Sequence, residues 1–155
     1  MRPVRTDLFT TVLRVLVAAG LIIDAVVHLR LAANYQLAQP SGIGQGNLFR
    51  IEAVLALLAA GYVLLRGSRQ SFAFAALVAL GGVFAVVLYR YVQVPAIGPI
   101  PAMYEPIWFF DKTLTTIAQA FAGVLALVGA LRKPADRRSA STASGVPEPG
   151  GRTQS

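Results

Sequence analysis

Four long apolar blocks, each carrying charges toward one end, dominate the pattern of this chain. The first runs from Val12 to Leu31 and reads VLRVLVAAGLIIDAVVHLRL. Twenty helical residues rise about 30 Å, the thickness of a bilayer's hydrocarbon core. Asp24 and His28 interrupt its apolar middle. They are four residues apart, so both side chains project from one helical face. A charge at membrane depth is costly and seldom faces lipid. The rest of the chain is therefore expected to give that face its partners.

The second block spans about Leu48 to Leu65, with Arg50 and Glu52 in its first turns and thirteen uncharged residues after them. The third, about Phe72 to Val94, is uncharged until Arg90, which Tyr89 and Tyr91 flank. The fourth, about Ile107 to Leu131, follows Pro106 and carries Asp111 and Lys112 in its second turn. Each is long enough to span as a helix.

The connections carry their own signals. In Asn34–Asn47, Pro40, Gly42, Gly44 and Gly46 are expected to break any helix, and Asn47 is the expected N-cap of the second. The turn RGSRQS (Arg66–Ser71) is short enough to make helices two and three an antiparallel pair. The segment Gln93–Pro106 holds four prolines, so it is expected to be stiff, non-helical and seated on the bundle mouth. Tyr104 and Trp108 suit a membrane–water interface. Small residues recur at Ala75-x3-Ala79, at Gly81-x3-Ala85 and at Ala118, Ala122, Ala126 and Ala130. Such spacing favours close helix packing, either inside the bundle or against a membrane-protein partner or second copy of the chain.

The predicted fold is therefore all-α: an integral membrane four-helix bundle in one domain, residues 12–131, with its lipid surroundings as first partner. Residues 1–11 are expected to form a cytoplasmic N-terminal segment. The tail from Arg132, rich in Ser, Pro, Gly and Arg, is expected to be disordered. Arg2 and Arg5 before an apolar run also suggest a cleaved signal peptide. That run exceeds the usual length, however, and Asp24 and His28 would precede the cut, which favours a retained helix.

Composition agrees. Of 155 residues, 55% are hydrophobic and 14% charged, against about a quarter charged in soluble domains. There is no cysteine, which excludes thiol redox chemistry and Cys-based metal or cluster sites in this chain. The net charge of +7 has a cause other than nucleic acid. With four spans both termini share a side, and that side holds Arg2, Arg5, Arg14, Arg66, Arg69, Arg132, Lys133, Arg137, Arg138 and Arg152 against Asp7, Asp136 and Glu148. The opposite side holds Arg30, Arg50, Arg90 and Lys112 against Asp24, Glu52, Glu105 and Asp111, which sums to zero. Lysine and arginine mark the cytoplasmic side, so both termini are expected in the cytoplasm of a multi-pass cell-membrane protein.

Neutrality on the outer side predicts mutual pairing, with acids and bases from all four helices meeting in one shallow layer. Asp24, His28, Arg50, Glu52, Arg90, Asp111 and Lys112 are its members and the candidate ligand-binding residues. The structural reading is a set of ion pairs that locks the helix ends. The functional reading is an outward-facing site, because ionisable residues in a membrane interior are functional candidates. His28, Asp24 and Glu52 are weak candidates for a divalent metal. A proton relay or a quinone headgroup would use the same residues with Tyr and Trp orienting the ring. The apolar inner halves of helices two to four argue against a channel or transporter, and no catalytic motif or phosphate-binding loop is present.

The runs DAVVHLRLAANYQ (24–36), NLFRIEA (47–53) and GPIPAMYEPIWFFDKTL (98–114) resemble a group of small four-helix membrane proteins of actinobacteria. More loosely, the architecture resembles the DoxX-like membrane family. The first resemblance implies the fold and no catalytic residue. The second implies redox partners of quinone or thiol type. The leading expectation is an accessory or scaffolding component of a membrane assembly. The alternative is a ligand-binding or redox-associated protein that uses the polar layer. No cofactor is specified.

Overall fold

The computed structural model describes residues 8–38 and 43–132. The expected N-terminal segment up to Asp7 and the tail from Lys133 lie outside the described residues. Four helices follow one another: α1 (Leu8–Ala38), α2 (Gly44–Arg66), α3 (Arg69–Tyr91) and α4 (Phe110–Leu131). All four are long and apolar enough to cross a membrane. The chain is thus an all-α four-helix bundle of multi-pass type, with both ends of its described part on one side.

The helix ends differ from the sequence reading for physical reasons. Helix α1 continues to Ala38, seven residues beyond Leu31. Ala-Ala-Asn-Tyr-Gln-Leu-Ala contains no breaker, so nothing ends the helix at Leu31. Helix α2 begins at Gly44, so Asn47 is no N-cap; its Oδ1 instead accepts a 2.5 Å hydrogen bond from Arg50. Gly46, expected to break the helix, lies inside it. A Cβ there would lie 2.7 Å from Cβ of Gln36 and would also strike the carbonyl oxygen of Ala32. The glycine is a close-approach residue where α1 and α2 touch.

The link between α2 and α3 is tighter than RGSRQS suggests. Gly67 (φ +55°) closes α2 in the left-handed region, its N–H donating to Val63 O. Ser68 caps α3, Oγ accepting from the Ser71 N–H at 3.1 Å. At this end two arginines satisfy helix-terminal carbonyls: Arg14 Nε donates to Val63 O and Arg69 Nε to Ala130 O, each at 3.0 Å.

At the opposite, distal end the proline-rich segment is a short ribbon. Val94 bridges Met103 and Ile97 bridges Ile100, both antiparallel, around Gly98 (φ +58°). Met103 is buried and the Glu105 N–H donates to Tyr89 O, which seats the ribbon on the bundle mouth. Residues 107–109 stay outside the helix, Phe109 being extended, so α4 starts later than expected. The Ile107 carbonyl accepts from Lys112 Nζ rather than entering the helix ladder.

Neighbours in sequence are neighbours in space, and α4 closes the ring against α1. The core is dominated by alanine: Ala53, Ala56, Ala59 and Ala60 of α2, Ala75 and Ala79 of α3, Ala122 and Ala126 of α4, around Val17 and Leu21 of α1. Large apolar side chains such as Leu58, Leu77, Phe84 and Ile117 point outward. Small residues inside and large ones outside suit a bundle whose solvent is hydrocarbon. The alanine seam of α4 is used within the bundle: a Cβ on Gly20 of α1 would lie 2.8 Å from Cβ of Ala122. Only the α2–α3 seam is thin. The two helices are joined by the short turn and separate toward the distal end.

A candidate ligand-binding site beneath the distal end

Asp24 sits at the centre of the polar layer and is fully buried. Its Oδ1 pairs with His28 Nδ1 at 2.9 Å and accepts the hydroxyl of Thr115 from α4. The helical i,i+4 spacing makes the first contact, and the close α1–α4 approach at Gly20 and Ala122 makes the second. Its Oδ2 is buried without a hydrogen-bond partner. Burying a carboxylate costs several kcal/mol unless it is well partnered, so this residue marks the place where the fold concedes stability to hold a charge-bearing group.

His28 is the next shell outward. Nδ1 also lies 3.1 Å from the Asp24 carbonyl oxygen. Phe49 of α2 packs its ring edge-on against both His28, at 5.3 Å between centroids, and Tyr35, at 4.8 Å. Tyr35 donates at 2.7 Å to Glu105 Oε2 of the ribbon. Lys112 Nζ donates to the carbonyl oxygens of Glu105 and Ile107 and lies 5.4 Å from the Trp108 ring centroid. The ribbon is thus tied to α1 through Tyr35 and to α4 through Lys112.

These residues border a cavity of about 510 Å³ between α2 and α3, roofed by the ribbon. Its polar wall includes His28, Glu52, Lys112 and Thr115; its apolar end is formed by residues such as Leu55 and Phe74. The volume falls within the roughly 300–1,000 Å³ usual for small-molecule sites. Glu52 Oε1 is buried with no hydrogen-bond partner. Gly81 and Gly82 of α3 keep that wall thin: a Cβ on Gly81 meets nothing within 4 Å, and one on Gly82 would strike the Gln119 side chain.

The layer is smaller than the sequence suggested. His28, Glu52 and Lys112 come together at the cavity, with Asp24 buried behind His28. Arg50 is exposed and bound to Asn47, and Asp111, half-buried, does not line the cavity. Arg90 turns its guanidinium over Tyr91, at 5.1 Å from the ring centroid, with Nε buried and unpartnered. The expected pairing of acids with bases is also corrected. In this layer, among the described residues, the one ion pair is His28–Asp24; lysine and arginine bind carbonyl, amide and ring instead. Among the described residues no three His, Asp or Glu side chains come together as metal ligands, so Asp24, His28 and Glu52 do not assemble as the metal site considered from sequence.

Thr115, Gln119, Tyr35 and Phe49 were missed. For the first two a signal exists. Lys112, Thr115, Gln119, Ala122, Ala126 and Gly129 recur at alternating steps of three and four and are all buried, so α4 carries a stripe that is polar at its distal end and small at the other. Gln119 has neither amide atom hydrogen-bonded.

The fold and site define a class: a multi-pass membrane bundle with a polar-walled cavity under one end. No protein-family profile matches the chain, and neither curated proteins nor solved structures provide a match.

Proposed function

We propose that this protein binds a lipophilic molecule with a hydrogen-bonding head in the distal cavity. The observation that carries the reading is an unused polar atom at one end of an otherwise apolar pocket: Glu52 Oε1, buried without a hydrogen-bond partner where His28 also lines the wall. A layer that served only to lock helices would spend such groups on each other, since an unpaired buried polar atom costs about 1–3 kcal/mol. A carboxylate oxygen accepts, so the favoured head is a donor, a hydroxyl or an amine. Tyr35, Glu105 and Lys112 hold the ribbon over it. We place the cavity beneath the extracytoplasmic face and both termini in the cytoplasm of the cell membrane, on the strength of the ten basic residues at the terminal side.

The test uses Trp108, the single tryptophan, beside the cavity roof. A dodecyl alcohol or dodecylamine brominated on its chain, added to the protein in nanodiscs, should quench Trp108 saturably. Glu52→Gln and His28→Gln should weaken that binding about tenfold or more while circular dichroism shows an intact helical fold. Quenching that rises without saturation, equally in all three proteins, would reject the site.

A further inference from the structure

The cavity has a side as well as a roof. Leu77 and Gly81 of α3 line it and also line a second, apolar groove of about 620 Å³ between α3 and α4. The groove continues past Ala73 to Leu127 and Leu131, at the terminal end of the bundle. Leu77 is 72% exposed, and Gly81, likewise exposed, carries no side chain that would close the saddle between the two spaces. The thin α2–α3 seam leaves the cavity open on the other flank of α3. Every one of these residues lies in a membrane-spanning helix, so the opening faces hydrocarbon.

We infer that the ligand is a single-chain lipid that enters sideways from the bilayer, its hydroxyl or amine head at His28 and Glu52 and its chain crossing the Gly81 saddle into the α3–α4 groove. The inference rests on the binding reading above and adds the ligand's chain and its route. From the level of Ala85 to that of Ala73 the path is about 18 Å at helical rise. Two features commit the occupant to a lipid chain. The groove is apolar along its length, and it shares Leu77 and Gly81 with a cavity whose polar end holds His28, more than nine-tenths buried, and Glu52, whose Oε1 is buried and unpartnered. A free alkyl chain in the surrounding membrane would match the groove but not the head site.

The experiment uses the full chain in nanodiscs with hexadecanol probes carrying a photoactivatable diazirine either next to the hydroxyl or at the chain's far end. The first probe should label the region of Phe49 and Glu52. The second should label Leu127–Leu131. Ala73→Phe fills the groove at an exposed position outside the cavity. It should weaken hexadecanol about tenfold and leave octanol within about twofold. Gly81→Phe should abolish far-end labelling of Leu127–Leu131. The route is overturned if the far-end probe labels the ribbon, if a diazirine alkane without a head labels Leu127–Leu131 equally and saturably, or if Ala73→Phe leaves hexadecanol unchanged. If neither octanol nor hexadecanol binds, the cavity reading itself falls.

Discussion

At the scale of single residues, Asp24 explains the most. A carboxylate at this depth is tolerable only with donors, and Thr115 supplies one from across the bundle. Thr115→Val removes that donor without changing shape. It should lower stability in detergent by about 1–3 kcal/mol, read as a fall in the unfolding midpoint; an unchanged midpoint would show that the hydroxyl is dispensable. The existence of an Asp24–His28 unit was legible from four-residue spacing alone. Its partner was not, because the stripe on α4 marks Thr115 as buried without saying which neighbour it faces. Charge pairing failed as a guide for a related reason. Neutrality counts charges, but arginine and lysine are satisfied as well by carbonyl oxygens and aromatic faces, and Lys112 and Arg90 use those.

At the scale of elements, helix existence was fully legible and helix ends were not. Apolar length set the four spans, while glycine was read as a breaker where it serves as a contact. Gly46 is the clearest case. Gly46→Ala places a methyl group against the α1 backbone at Ala32 and the Gln36 side chain. The variant should lose about 1–3 kcal/mol from overpacking, seen as a lower melting temperature. A tolerated alanine would mean that α1 and α2 are not pressed together there. The ribbon between α3 and α4 was expected to be stiff and to cover the mouth. What sequence could not give is its pairing, because Val94–Met103 and Ile97–Ile100 depend on a Gly98 turn that prolines on both sides make hard to read.

At the scale of the whole molecule, the arrangement combines a tight three-seam bundle with one loose seam, and the cavity occupies the looseness. The orientation we propose has a direct check, since the chain has no native cysteine. Gln70→Cys, exposed near the α2–α3 turn, should react with a membrane-impermeant maleimide only from the cytoplasmic side of sealed vesicles. Ala102→Cys, exposed on the ribbon, should react only from the other side. Reversed labelling would invert the topology, and labelling of both from one side would break the four-span reading. The site's central claim, that the buried polar cluster receives a ligand and is more than a clasp between helices, is met most directly by native mass spectrometry. Protein released from nanodiscs supplemented with hexadecanol should carry one bound hexadecanol per chain, and a Glu52→Gln variant of equal helical content should be released bare. Equal adducts on both proteins, or none on either, would contradict the account.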